Sequence, residues 1–105
     1  MTLSDLETLL NAILPGGVYH YGAPPEVPRR IVWAEYGTND LIGDDAAIVC
    51  IPLVQIDVYT QRDDDTLAED VQTALSAVGQ YCSVAGIEFD DEFMSLRTIL
   101  QLQLI

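Results

Sequence analysis

Carboxylates are the residues of this chain that are best suited to chemistry, and they occur in three short clusters. The clusters are residues 44–45 (Asp-Asp), 63–65 (Asp-Asp-Asp) and 90–92 (Asp-Asp-Glu). Paired carboxylates can hydrolyse glycosides, and several carboxylates around one point can bind a hard cation such as calcium. No cluster has the alternating spacing and glycine of a calcium-binding loop. All three are more typical of solvated turns, and the second also lies where a helix would begin, at the positive end of its dipole.

Other catalytic residue types are scarce. His20 is the one histidine, and between Tyr19 and Tyr21 it is most typical of a hydrogen-bonded residue without a catalytic role. The sequence contains no nucleophile elbow, no phosphate-binding loop and no dinucleotide-binding glycine pattern. It also contains no lysine, which excludes Schiff-base chemistry. We therefore expect no catalytic residue, no cofactor and no metal ion, and a protein that is not an enzyme.

The charge balance limits the possible partners. The chain has 17 acidic residues against four arginines, which gives a formal net charge of −13. Binding to nucleic acid requires basic side chains opposite the phosphates, and so acidic a surface repels DNA, RNA and anionic lipid. No apolar run approaches the ~18–20 residues that span a bilayer, so we expect no membrane contact. The charge remains compatible with DNA that slides past the protein without binding to it.

The two cysteines and the N-terminal segment indicate the compartment. Cys50 and Cys82 are too few for a disulfide scaffold and lack zinc-ligand spacing. The N-terminal residues lack the basic segment of a signal peptide. We expect two buried free thiols in a protein that folds in a reducing cytoplasm.

The length and the apolar periodicity predict one domain, residues 1–105, with two helices. The first helix is predicted to begin at a capping box in Ser4–Glu7 and to end at the proline and glycines of 15–17. The second is predicted to begin at a capping box in Thr66–Glu69, and its apolar stripe continues to Val78. Each helix has one apolar face, which must pack on something, most simply a sheet.

Five segments rich in β-branched and aromatic residues predict the strands. They are Val18–Tyr21, Arg30–Tyr36, Ile48–Thr60, Val84–Phe89 and Met94–Leu104. The element order is therefore α-β-β-β-α-β-β. It predicts an α+β fold with a mixed, mostly antiparallel sheet and two helices packed on one face, so that the other face is solvated or lies in an interface. Gly37–Ala47 is polar and punctuated by glycine, and we expect a long functional loop there.

Two segments are candidates for contacts between subunits. Arginine and tryptophan are enriched at the centres of protein interfaces, and two of the four arginines lie close to the one tryptophan. The predicted loop is the second candidate. The predicted interface residues are Arg29, Arg30, Trp33, Asp40, Leu41, Ile42, Asp44 and Asp45. The alternative for the arginines is a strand edge along which their side chains lie.

Several segments together have a familiar order. A proline-rich stretch leads into a strand at Pro24–Trp33, a strand ends in Val54–Thr60 (VQIDVYT), and a hairpin at Gly86–Glu92 leads into a long last strand. With the N-terminal helix and the helix after Leu67, this order resembles the small tail-completion, tail-terminator and head–tail joining proteins of long-tailed bacteriophages and prophages. The resemblance extends over nearly the whole chain.

The resemblance implies a structural role. Proteins of this kind form a ring, usually a hexamer, at the head-proximal end of the tail tube, where the ring ends tube growth and joins the tail to the head. The implied partners are other copies of the chain, the tail tube protein and a head-completion or connector protein. DNA would pass through the lumen without specific binding. The implied location is the virion tail, after assembly in the cytoplasm of a bacterial host.

Two other functions are compatible with the residues alone. A small, acidic, monomeric protein-binding module or regulator would use the acidic surface to bind a basic partner. A small hydrolase or metal-dependent enzyme would use the carboxylate clusters.

Overall fold

In a computed structural model, the predicted order of elements is confirmed. The structure describes residues 1–22, 27–42, 48–91 and 94–105, with the backbone alone for 40–42, 48 and 49. The elements are α1 (Leu3–Ile13), β1 (Val18–His20), β2 (Arg30–Ile42), β3 (Ile48–Thr60), α2 (Leu67–Ala77), β4 (Cys82–Asp90) and β5 (Ser95–Gln103).

The five strands form one sheet in the order β1-β2-β3-β5-β4. β1 runs parallel to β2, and every other neighbouring pair is antiparallel, so the sheet is mixed and mostly antiparallel as predicted. Alternate residues of β3 pack with buried leucines and a valine of α1 and α2, which places both helices on one face. The fully buried residues of this core are Leu6, Leu10, Ile31, Val54, Ile56, Val58, Leu67, Val71, Leu75 and Leu100.

Neither helix begins with the predicted capping box. The Ser4–Glu7 box is wrong, because α1 starts two residues earlier: Thr2 is its N-cap and forms the reciprocal box with Asp5. The Thr66–Glu69 box is also wrong, although Thr66 is the N-cap residue. The Thr66 hydroxyl donates to Asp70 instead, and the Asp65 carboxylate accepts from the backbone of Leu67. An aspartate that already lies at the helix start satisfies the free N–H group.

The prediction of a loop at Gly37–Ala47 is wrong for its first half. β2 continues to Ile42, paired with β3 through Thr38↔Pro52 and Ile42↔Ile48, and residues 43–47 lie outside the described residues. Glycine and polar residues lower strand propensity, but β-propensity depends strongly on context, and here the facing strand supplies the pairing. β5 ends opposite Leu53, so residues 38–42 and 48–51 form a two-stranded ribbon, which we call the arm.

The cysteines differ from the expectation in one respect. The expected burial is wrong for Cys50, which is exposed, whereas Cys82 is a free thiol that is partly buried. Burial raises the pKa of the Cys82 thiol to about 11. At neutral pH this thiol is therefore protonated and weakly nucleophilic.

Candidate assembly interface

The face of the sheet opposite the helices, which we call the open face, is the strongest candidate for a functional surface. Because side chains alternate along a strand, every second residue of four strands lies on it. Its residues on β2 and β3 are Arg30, Val32, Ala34, Tyr36, Leu53, Gln55, Asp57 and Tyr59, and those on β5 are Arg97, Ile99, Gln101 and Gln103. Within the described residues no helix covers this face. The prediction that both helices pack on one face of the sheet is confirmed.

An ion pair lies at the centre of the open face. The Arg97 guanidinium donates to Asp57 at 2.8 Å and to Glu88 at 3.2 Å, which links β3, β5 and β4. Asp57 is only 9% exposed, and Gln55 donates to it as well. Partial burial lowers the pKa of Arg97, but the hydrogen bond to Asp57 and the charges of Asp57, Tyr59 and Glu88 together outweigh it, so the net shift of the pKa is upward. A buried carboxylate needs such a partner, because an unpaired charge is costly to bury.

Two further contacts make the open face an ordered surface. The amide groups of Gln55 and Gln101 contact each other at 3.4 Å across β3 and β5. The Arg30 guanidinium lies 3.9 Å above the centre of the Tyr59 ring and donates to the carbonyl of Val27. Cation–π contacts and side-chain ladders of this kind fix rotamers in advance of any association. The open face can therefore dock a partner at low entropic cost.

The two predicted interface arginines lie on opposite sides of the sheet. Arg30 belongs to the open face, whereas Arg29 lies on the helix side and makes a two-pronged ion pair with Asp65 at 2.8 and 3.1 Å. The Arg29 guanidinium holds the pKa of the Asp65 carboxyl below its usual value. Asp65 is thus explained as a structural residue that anchors the start of α2. Within the Asp63–Asp65 cluster, Asp65 therefore stabilises the helix start, as the sequence indicated, whereas Asp64 pairs with Arg62.

The remaining predicted interface residues divide into three groups. Trp33 is 3% exposed and belongs to the core, so its side chain is not part of the surface. Asp40, Leu41 and Ile42 are strand positions of the arm. Asp44 and Asp45 lie outside the described residues. The structure thus places Arg30 on the open face and the arm at one end of the sheet. Contact between subunits at these two places stays a prediction.

Sequence reasoning missed a polar cluster at the β1 edge. His20 stacks on Trp33 with ring centroids 3.9 Å apart, and its Nε2 lies 2.8 Å from a carboxylate oxygen of Glu35. The Tyr21 hydroxyl donates to the other oxygen of Glu35. This bond raises the pKa of Tyr21 and, with His20, lowers that of Glu35. The cluster holds the short β1 on β2. The sequence spacing of His20 and Glu35 did not indicate this contact, because the two residues meet only through the parallel pairing of β1 with β2.

Edge strand β4 carries an exposed apolar patch. Val84, Ile87 and Phe89 lie on the helix side, opposite Leu100, Thr98 and Leu96 of β5, and Ile87 and Phe89 are 68% and 56% exposed. We call these three residues the edge patch. On the open face, a groove of about 470 Å³ lies at the base of the arm. Its apolar lining comes from Tyr36, Leu53, Tyr81, Leu102 and Ile105.

The described residues offer neither a metal site nor a membrane-spanning helix. They contain no group of three or more His, Cys, Asp or Glu side chains placed to hold a metal ion. None of the helices in the described part of the chain is long and apolar enough to cross a membrane. The absence of catalysis and of cofactors stays a prediction.

The chain has a counterpart among solved structures. It is similar in fold to a chain in the structure of the virion of a native gene transfer agent particle, with a TM-score of 0.60 and 14% sequence identity. The match covers 93% of this chain and 90% of that chain. No protein-family profile and no curated protein matches the sequence. Over nearly its whole length, then, this chain has the fold of a chain found in a virion particle.

Proposed function

We propose that this chain is a structural subunit of a phage-like particle. Its role in the proposal is to form a ring at the head-proximal end of the tail tube, where the ring ends tube growth and joins the tail to the head. The observation that carries the proposal is the end-to-end fold likeness to a chain of a gene transfer agent virion. The order of elements, which resembles tail-completion proteins, supports the same role.

The surfaces of the protomer support the proposal. The helix side completes a core within one chain, so the protomer folds without a partner. The ordered open face and the arm remain for neighbours, and an isolated two-stranded ribbon is only marginally stable in water. Packing of the arm on another subunit would remove that weakness. We assign the contacts with other copies, with the tube protein and with a head-completion or connector protein to these surfaces.

The charge supports a passage for DNA rather than a grip on it. Each of the four arginines contacts a neighbour within the chain, three of them a carboxylate and Arg30 an aromatic ring. The remaining charge is strongly acidic, with a net value of −13. An acidic lumen would repel DNA and let it slide through.

The same charge supports the second candidate, a monomeric acidic module that binds a basic protein. Tube capping separates the two functions. Tail tubes assembled from the tube protein of the same particle are mixed with this chain and imaged by electron microscopy. We expect a ring of density at one end of each tube and an arrest of further growth. Bare ends and continued growth at saturating concentrations of the chain would contradict the ring proposal.

A further inference from the structure

The outer edge of β4 is unprotected in the protomer. Among the described residues β4 has one strand neighbour, β5. From Ser83 to Asp90, every residue of β4 except Gly86 is exposed. An edge strand presents a row of backbone donors and acceptors, which is a template for pairing with another chain. A bulge between Val84 and Gly86 is a usual protective device, but the apolar Ile87 and Phe89 follow it.

The sheet has a second, different free edge at its opposite end. β1 pairs only with Ile31–Trp33 of β2, and the backbone of Tyr21 extends this pairing by a bond to Trp33. Beyond the bulge at Glu35, residues Gly37–Ile42 of β2 pair with β3 on one side, and no strand of the described residues lies on the other side. This stretch ends in the apolar residue types Leu41 and Ile42.

The two free edges have opposite strand directions. β2 and β5 are both antiparallel to β3, and β4 is antiparallel to β5, so β4 runs parallel to β3 and opposite to β2. When the next copy keeps roughly the same strand direction, as neighbours in a ring do, its β2 therefore lies antiparallel to β4 of the first copy. A contact between two different surfaces of identical chains is head-to-tail, and it closes into a ring when the rotation closes.

We propose that β4 of one copy pairs antiparallel with Gly37–Ile42 of β2 in a second copy, so that the sheet continues from subunit to subunit. The inference rests on the proposed function only in taking copies of this chain as the neighbours. Pairing covers the exposed backbone of β4 and places the neighbour's arm beside the edge patch. It also gives the arm a third strand.

The offset between the two edges fits a closed assembly. Within one chain, Gly86 of β4 is in register with Val32 of β2, because Gly86 pairs with Ile99, Ile99 with Asp57, and Asp57 with Val32. If β4 instead pairs with residues 37–42 of the neighbour, the neighbour is shifted along the strand direction by the distance from Val32 to the middle of that segment. The shift is about six residues, or roughly 20 Å at ~3.3 Å per residue. Four strands per repeat span about 19 Å at ~4.8 Å each. The strands then tilt roughly 45° from the ring axis, close to the tilt of closed sheets.

The test compares two lysine substitutions that change the net charge equally. Ile87→Lys places a charge on the β4 edge, and Val78→Lys places the same charge at the exposed end of α2. Both positions are exposed in the protomer, so circular dichroism and thermal unfolding should match the wild type. Each protein is titrated for self-association by sedimentation velocity in high salt, up to millimolar concentration. Backbone hydrogen exchange is measured on the wild type below and above its association midpoint.

We expect Ile87→Lys to raise the association midpoint at least tenfold relative to Val78→Lys. We also expect new amide protection on association in both β4 and residues 37–42. Equal midpoints for the two variants, or protection that spares β4, would overturn the pairing even if the chain caps tubes. A wild-type chain that stays monomeric throughout would overturn it as well, whereas tube capping tests the proposed function separately. Association through β4 without tube capping would support the pairing and contradict the tail role.

Discussion

The two faces of β3 differ in how complete they are within one protomer. On the helix side, Val54, Ile56 and Val58 have no exposed surface. On the open face, Asp57 accepts hydrogen bonds from Arg97 and Gln55, and the side chains around it leave it little exposed. No helix in the described part of the chain lies over this face. The first face is finished by the chain itself, and the second is ordered but uncovered. We expect a sheet built in this way to fold alone and to offer its open face to a partner.

The largest effect should come from the finished face. Ile56→Ala removes apolar volume from a fully buried site, and we expect a loss of about 2–5 kcal/mol in the free energy of unfolding. Urea denaturation followed by circular dichroism measures the loss. Ile99→Ala, on the open face, is the matched control and should cost much less. Equal losses would mean that the two faces do not differ as described.

The ion pair of the open face should come next. Arg97→Ala leaves the Asp57 carboxylate largely buried without its cationic partner, and we expect a loss of about 2 kcal/mol in the free energy of unfolding. The double variant with Asp57→Asn should recover part of this loss, because no unpaired charge then remains. Additive losses in the double-mutant cycle would show that the two side chains act independently.

Charge reversal at Arg29 and at Arg30 tests which side of the sheet contributes to assembly. Arg30→Glu changes the open face, whereas Arg29→Glu changes the helix side, at the same cost in net charge. We expect Arg30→Glu to weaken ring formation about tenfold more, which corresponds to about 1.4 kcal/mol. Light scattering at low concentration measures it. An unchanged ring size for Arg30→Glu would remove the open face from the subunit contacts.

The smallest effect should come from the exposed ion pair on the helix side. Arg29→Ala should cost about 0.5 kcal/mol in the free energy of unfolding at pH 7, because the Arg29 side chain is half exposed and its charge is screened. Arg29 lowers the pKa of Asp65 in the folded protein, so this contribution is present above the unfolded pKa of about 4. It is lost as the pH falls through the lowered folded pKa. A penalty that persisted at pH 2 would point to packing rather than charge.

Much of the fold was predictable because it depends on local patterns. The alternation in Ile48–Thr60 and the helical periodicity before Pro15 gave elements that the structure confirms. The errors arose where distant residues decide. The strand at 37–42 depends on a facing strand, and the core position of Trp33 depends on which side of β2 the helices occupy.

The candidate interface was predictable only in part, for the same reason. The polar alternation of Gln55 and Asp57 predicted a wet or interfacial face. The partner of Asp57 lies 40 residues away at Arg97, a pairing that no spacing rule identifies. The edge patch likewise requires the sheet order, because an exposed edge strand and a central strand have similar sequences.

We propose that this chain assembles with copies of itself into a closed ring. Size-exclusion chromatography with light scattering, across concentration and salt, tests it most directly. Each subunit carries a net charge of −13, so salt should screen the repulsion and favour assembly. We predict a single closed species of about six copies, with a population that rises with salt. A monomer at every concentration and salt, with bare tube ends in the capping assay, would contradict the account.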